Sequence, residues 1–314
     1  MAGNGNIDFF CLECYTDKSE VNTLQTEVIK IDRENMDLDA LKRAGEIIKS
    51  GGLVAFPTET VYGLGGDGLH EESSRKIYEA KGRPSDNPLI VHVADMEHLE
   101  KIVKKVPKAA YKLAEAFWPG PMTMILEKND LVPYGTTGGL DTVAIRMPSD
   151  PIALELIRQG GGYIAAPSAN TSGRPSPTTA QHVYEDLQGK IPMILDGGAV
   201  TIGLESTIVD LTEEIPTILR PGFISLDMVQ AVLGEAQIDR GLIANDSNIH
   251  PKAPGMKYRH YAPKADLKIV EGPMEQVISY INEQTEKGRT GIICTEETRS
   301  RYPKGDIKCV GTRK

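Results

Sequence analysis

The sequence predicts an α/β protein whose main body is one large, mixed and twisted sheet with flanking helices, followed by a small second α/β unit. Three observations lead there. Short apolar runs of strand type interleave with segments whose apolar residues recur at helical spacing, but without a strict βαβ rhythm, so a mixed rather than purely parallel sheet is expected. The 314 residues exceed what a single core usually holds. A stretch over 236–264 has no sustained periodicity and carries Pro251, Pro254, Gly255 and Pro263, which marks a linker.

Residues 1–25 are polar and aperiodic and read as an N-terminal tail; the main domain spans 26–235. A first strand is expected over 26–31. Leu38, Leu41, Ala44, Ile47 and Ile48 share one helical face, and Gly51-Gly52 stops that helix. Residues 53–56 read as a buried strand that runs into Pro57-Thr58-Glu59-Thr60-Val61-Tyr62-Gly63. A glycine-rich loop over 63–68 precedes a helix over 71–80, and a strand over 89–93 carries His92. Helices over 96–103 and 108–117 follow, the second stopped by Trp118-Pro119-Gly120-Pro121. Strands over 122–126 and 142–146 flank a Gly/Thr-rich connection.

The pattern continues with a helix over 151–159, a short strand over 163–166 and its exit loop Pro167-Ser168-Ala169-Asn170. A helix over 178–187 is expected with Ser176 or Thr178 as its cap. Short strands over 193–195, 206–211 and 217–219 and a closing helix over 226–233 complete the main domain. Beyond the linker, a strand over 267–270, a helix over 274–285 and a strand over 291–294 begin the second unit, which spans 265–314 and is short for a complete module.

Composition narrows the function. Hydrophobic residues at 40% and charged residues at 25% are ordinary for a folded soluble chain. A net charge of −9 argues against non-specific binding to nucleic acid or anionic membranes, which needs a basic surface. No apolar run approaches the roughly 20 residues of a membrane span, and residues 1–6 carry no leader pattern, so a cytoplasmic protein is expected. Cys11 and Cys14 form a C-x-x-C, but a structural zinc site needs further ligands at matching spacing, and Cys294 and Cys309 lie in a distant segment; all four read as reduced thiols.

Two motifs bear on nucleotides. Gly63-Leu64-Gly65-Gly66-Asp67-Gly68 matches G-x-G-x-x-G, but six residues separate it from the preceding strand, whereas the dinucleotide fingerprint sits directly at the strand-to-helix turn. It reads as a loop needing unusual backbone angles. No P-loop pattern occurs. Lys81-Gly82-Arg83-Pro84-Ser85-Asp86-Asn87-Pro88 places two cations in a loop stiffened by prolines. Taken alone, that loop fits an anion grip and a helix-end charge pair equally well.

Further polar groups gather at strand ends: Thr58, Thr60 and Tyr62 after one strand, His92 near the end of a second, Arg146 ending a third, Ser168 and Asn170 after a fourth. Ligands of open α/β sheets sit at strand ends, so these loops can converge. Singly, each is equally an ordinary turn former, a satisfied histidine or a surface ion pair. Together they offer many N–H and O–H donors, a set suited to a polyphosphate and unlike a nucleophile-plus-base site.

These residues lie in longer runs: FPTETVYGLGGDG, YEAKGRPSDNPLIVHV, WPGPMTMIL, VAIRMP, APSANTSGRPSPT, ESTIVDL, ILRPG and PGMKYRHYAPKA. Between residues 26 and 265 the chain resembles the threonylcarbamoyl-AMP synthases of the YrdC-like domain family, in the longer form that carries a linker and a small Rossmann-like C-terminal module. The pairing of Lys81 and Arg83 with Ser168 and Asn170 is its most specific signature.

The resemblance implies a nucleotidyltransferase that joins L-threonine, bicarbonate or CO2, and ATP into threonylcarbamoyl-adenylate and releases pyrophosphate, for modification of the tRNA adenosine beside the anticodon. It implies that Lys81 and Arg83 are catalytic and bind ATP together with Ser168, Asn170, Arg220, Tyr62 and Tyr258. Thr58, Thr60, His92, Arg146 and Ser206 are implied for threonine and bicarbonate, and Mg²⁺ is expected on the ATP phosphates, with no metal ligand from the protein. The product would pass to a downstream tRNA threonylcarbamoyl transferase machinery, with tRNA touched only weakly or indirectly and no membrane partner. The linker residues Lys257, Tyr258, Arg259, His260 and Tyr261 are expected to cover the active site. Two other readings compete: a carbamoyl-phosphate-handling relative, which would carry further catalytic modules, and an RNA-binding module, which would need a concave basic surface.

Overall fold

The computed structural model describes residues 24–239 and 266–313, which fall into two units divided between Ala262 and Pro263. The first is built on an eleven-stranded sheet. Its strands are β1 (Glu27–Lys30), β2 (Val54–Phe56), β3 (Gly63–Asp67), β4 (Ile90–His92), β5 (Met122–Glu127), β6 (Thr142–Arg146), β7 (Ile164–Ala165), β8 (Met193–Asp196), β9 (Thr207–Asp210), β10 (Thr217–Arg220) and β11 (Gln237–Ile238). They lie in the order β1-β8-β2-β3-β7-β4-β6-β5-β9-β10-β11. Parallel pairs such as β4 with β6 and β5 with β9 alternate with antiparallel pairs such as β5 with β6 and β9 with β10, so the sheet is mixed as expected.

Side-chain alternation sorts the helices onto the two faces. Val54 and Phe56 of β2 pack with Met193 and Leu195 of β8 against α1 (Leu38–Lys49) and α6 (Pro151–Gln159). The intervening Ala55 and Ile194 pack with α2 (Glu71–Lys81) and α7 (Ala180–Leu187) on the opposite face. Val91 and Ala165, paired across β4 and β7, carry that second face on toward α3 (Met96–Ile102), α4 (Lys108–Phe117) and α8 (Leu226–Leu233). On the first face, Ile90, Ile125, Ala144, Ile208 and Leu219 form a small cluster made of strand residues alone. No helix among the described residues joins that cluster, and its five residues are nonetheless buried.

Local chemistry explains the helix ends. Asp37, Asp95 and Asp150 cap α1, α3 and α6 by accepting from backbone N–H groups of the first turn. The cap of α7 is Thr179, one residue beyond the expected Thr178, and its hydroxyl accepts from His182 N. The connection between β5 and β6 contains a one-turn helix, α5 (Tyr134–Thr137).

The glycine run departs from expectation. Residues 63–67 are not a loop but strand β3, and Gly63, Gly65, Gly66 and Gly68 have no left-handed φ. They are small because the layers above and below leave no room. A Cβ on Gly65 would lie 2.8 Å from Ile164 Cγ2 and 2.9 Å from Phe56 Cε1, and one on Gly66 3.0 Å from Leu53 Cδ2. Close packing, not backbone angle, selects glycine here.

The second unit contains α9 (Met274–Lys287), β12 (Gly291–Cys294), α10 (Glu296–Arg299) and β13 (Asp306–Cys309), with β12 and β13 paired in parallel. Its core is Ile278, Ile292, Cys294 and Tyr302. The strand expected over 267–270 is absent: the segment has no regular structure, and Leu267 and Ile269 are exposed. An apolar run becomes a strand only where a neighbour completes its hydrogen bonds. Two residues expected in the linker, Gln237 and Ile238, are strand β11 instead, because they pair with Thr217 and Ile218. Linker residues 240–264, and Cys11 and Cys14, lie outside the described residues, whereas Cys294 and Cys309 are free thiols.

Gly65→Ala tests the packing argument. Overfilling a close-packed layer should lower stability by roughly 1–3 kcal/mol without altering the denaturant m-value; urea unfolding followed by circular dichroism measures both.

Candidate active site

The half of the sheet that carries this strand cluster also presents a row of residues in register. His92 of β4 pairs with Arg146 of β6, Arg146 with Thr123 of β5, Thr123 with Ile208 of β9, and Ile208 with Arg220 of β10. Paired residues point to the same face. Arg220 joins the row through a bulge: the register shifts between Ile218 and Arg220, and without that shift strict alternation would send the guanidinium to the helix-covered face.

Above this row is a cavity of about 340 Å³. Its walls include Thr58, Thr60, Arg83, His92, Arg146, Ser168, Ser206 and Arg220, eight of the site residues expected from sequence. Loops distant in the chain therefore do converge. Lys81, Asn170 and Tyr62 are not on the wall, and Tyr258 lies outside the described residues.

Arg146 is buried and held on three sides. It donates to Glu59 Oε1 at 2.6 Å, to Thr60 Oγ1 at 2.9 Å and to the Gly120 carbonyl at 3.3 Å. Glu59 Oε2 accepts from Ser149 N at 3.1 Å, so both carboxylate oxygens are engaged. Thr58 organises the loop that carries Thr60: its hydroxyl donates to the Val61 carbonyl and accepts from the Thr60 and Val61 amides. The segment over 200–203 lies against this loop, with Ile202 N and Gly203 N donating to the carbonyls of Glu59 and Thr60.

Lys81 is the last residue of α2, not a loop residue. Gly82 follows in the left-handed conformation (φ 60°), and Arg83 N donates back to the Tyr78 carbonyl, so the helix closes before Arg83. The Lys81 ammonium is buried and donates to the carbonyls of Ser168 and Asn170, with Asn170 Oδ1 at 3.4 Å. Burial, and then Arg83, push its pKa well below the usual lysine value, while Asp186 opposes them. Asn170 spends its amide on the carbonyls of Thr171 and Arg174, at 2.8 Å each, and its oxygen accepts from Ser168 Oγ at 2.6 Å. Lys81 and Asn170 thus frame the loop that presents Ser168. Tyr62 is also a framing residue: its hydroxyl donates to the Gly198 carbonyl at 2.7 Å.

Arg83 is half-buried and donates to the Pro88 carbonyl at 3.1 Å. Arg220 donates to Ser206 through both its carbonyl and its hydroxyl at 3.0 Å, and Ser206 Oγ lies 2.7 Å from Thr123 Oγ1. Burial pushes the Arg220 guanidinium down to about 10; Glu205 opposes this, and Arg146 and Arg83 add to it. Three guanidiniums on the wall of one cavity suit a polyanion.

His92 is not a proton carrier in this setting. Burial, with the Arg146 guanidinium adding to it, pushes the imidazole down to about 3. Its Nδ1 lies 3.2 Å from the Ile90 carbonyl, and its ring meets Phe56 edge-on.

A family model described as "Telomere recombination", covering Sua5, YciO and YrdC proteins, matches residues 46–222, more than half of the chain. The chain belongs to the Sua5/YciO/YrdC family. A second model, described as "Threonylcarbamoyl-AMP synthase, C-terminal domain", matches residues 224–313. The chain is 53% identical over 251 residues to a threonylcarbamoyl-AMP synthase of Pyrococcus abyssi, covering 80% of this chain and 74% of the relative. It is 49% identical over 275 residues to that of Bacillus subtilis, covering 87% and 79%. Among solved structures, P. abyssi Sua5 complexed with L-threonine superposes with a TM-score of 0.84 at 47% identity, covering 91% of this chain and 84% of that one.

Two acidic residues of this family site escaped the sequence reading, Glu59 and Glu205. Both stand inside motifs quoted for the resemblance, PTET and ESTIVDL, but neither spacing nor periodicity marks a carboxylate that faces inward. Only the convergence of β6 and β10 on these loops shows it.

The histidine provides a pH test. Its folded pKa of about 3 lies below the ordinary 6.5, so between those values the unfolded chain binds a proton that the folded one does not. Stability is then lost as pH falls below about 6.5. Denaturant unfolding should show that the native chain loses about 2 kcal/mol more than His92→Gln between pH 7 and pH 5.

Proposed function

We propose that this cavity makes threonylcarbamoyl-adenylate from L-threonine, bicarbonate or CO2, and ATP, releasing pyrophosphate, and that the product serves tRNA threonylcarbamoyladenosine modification. The observation that carries the reading is the junction of Arg83, Arg146 and Arg220 around one cavity, next to the Lys81-framed loop that presents Ser168. The relatives' shared name and the L-threonine complex of the P. abyssi structure supply the substrate.

In this reading the protein is an enzyme of the nucleotidyltransferase class. The neutral amine of threonine adds to CO2, giving a carbamate and a proton. A carbamate oxygen then attacks the α-phosphorus of ATP, forming the mixed anhydride as pyrophosphate departs. Negative charge grows on the phosphoryl and leaving oxygens, where preorganised guanidinium donors stabilise it. Arg83 and Arg220, on the cavity wall, would hold the phosphates, and Arg146, fixed by Glu59 and Thr60, would hold the carboxylate or carbamate. Ser168 and Ser206 add neutral hydroxyls to the cavity wall.

The amine proton needs an acceptor other than His92, whose imidazole binds no proton at neutral pH. Bicarbonate itself or a phosphate oxygen can take it. Among the described residues no three His, Cys, Asp or Glu side chains are grouped to hold a metal ion. Magnesium is proposed to bind the phosphate oxygens of ATP, where it would neutralise charge. Lys81 acts here as a positioning residue, because all three of its N–H donors face oxygens of the 168–170 loop.

Pyrophosphate release from ATP should require both threonine and bicarbonate; release with neither would overturn the reading. Arg83→Lys should lower turnover, because a lysine cannot reproduce the bidentate guanidinium. Lys81→Ala should lower it by on the order of 10²-fold or more, since the loop bearing Ser168 loses its anchor.

A further inference from the structure

We propose that Glu205 holds the amino group of the amino-acid substrate. The proposal rests on the reading of the cavity given above and names the group that recognises one end of threonine.

Charge is the first argument. Among the described residues lining the cavity, Glu205 is the single carboxylate, facing three guanidiniums. A free amino acid is a zwitterion. Its carboxylate has several partners in this cavity, but its ammonium would be repelled by every charged group on the wall except Glu205. Glu59, the nearest alternative in the sequence of the wall loops, is not available: Arg146 and Ser149 N occupy its two oxygens.

Geometry is the second. Glu205 Oε1 accepts from Ser176 Oγ at 2.6 Å, which fixes the carboxylate, whereas Oε2 accepts no hydrogen bond from the described residues. The segment before it is pinned by Ile202 N and Gly203 N to the Glu59 and Thr60 carbonyls. The residue after it, Ser206, is held by Arg220 and Thr123. The carboxylate is therefore preorganised by its neighbours on both sides and, among the described residues, keeps one acceptor oxygen uncommitted. A charge-assisted N–H···O bond there would orient the nitrogen that later becomes the carbamate.

The test compares two ligands on two proteins by calorimetric titration of the full chain. One ligand is L-threonine; the other is 2,3-dihydroxybutyrate, which replaces the ammonium with a hydroxyl. Wild type should favour threonine. Glu205→Gln should weaken threonine by roughly 10- to 100-fold, as for loss of a charged hydrogen bond, while leaving the dihydroxy acid within about twofold. Glu205→Asp should fall between. Equal weakening of both ligands, or an unchanged threonine affinity with a weakened Mg·ATP affinity, would overturn the assignment. Unfolding midpoints identify a variant that has lost its fold; in that case Glu205→Asp alone must show the ligand-selective loss or the assignment fails. A wild-type chain that releases no pyrophosphate with threonine and bicarbonate would instead overturn the reading of the cavity itself.

Discussion

The contact on which the site depends is the buried ion pair between Arg146 and Glu59. Removing two charges from water is costly, and their attraction compensates only when the remaining donors and acceptors are also satisfied. Here they are: Thr60, the Gly120 carbonyl and Ser149 N complete the set. The pair therefore joins the end of β6 to the loop after β2 and to the turn before β5. It also determines the state of its neighbours. Burial keeps the His92 imidazole neutral, and the guanidinium fixed beside it adds to that; the same guanidinium, bonded to Thr60, holds the hydroxyl at the cavity wall.

A cluster of guanidiniums works against folding, since like charges repel. The fold limits that cost by dividing the charges among separate supports. Arg146 is neutralised by Glu59, Arg220 is opposed by Glu205, and Arg83 stands on a loop after a closed helix end. The helices contribute by their absence. Because α1 and α6 pack on only the first part of one face, no described helix joins the strand cluster from β4 to β10 beside which the polar row stands. One inserted residue in β10 then decides which side Arg220 joins, which makes the bulge a functional element of the sheet.

The architecture was largely legible because period-2 and period-3.6 patterns record which face of an element is buried. α1, α4, α6 and α8 follow that record closely, as do β5 and β6. Three things were not legible, each for a physical reason. Glycines serve both strained loops and crowded strands, and β3 proved crowded. An apolar run at 267–270 has strand composition, but pairing is a property of a neighbour. The direction of Lys81 depends on where a helix ends, and a shift of one residue turned a loop cation into a buried one. At the site, the sequence identified the residues with donors but not the two carboxylates that balance them.

Lys81 shows why the K-x-R and S-x-N motifs belong together. An ammonium has three hydrogens, and in this arrangement each faces an oxygen of the 168–170 loop. To contact a phosphate it must give up one of those oxygens, leaving a buried carbonyl unsatisfied unless the loop moves with it. The lysine and the loop are thus one mechanical unit, and Ser172 N, which donates to the Lys81 carbonyl, closes the same link from the backbone. Asp186 secures the far side of the loop through Thr171 and Arg174. A phosphate arriving at Arg83 and Ser168 would meet two strands of one clasp whose relative position is already set. On this argument the spacing of the two motifs is fixed by a hydrogen-bonded frame that exists before any ligand binds.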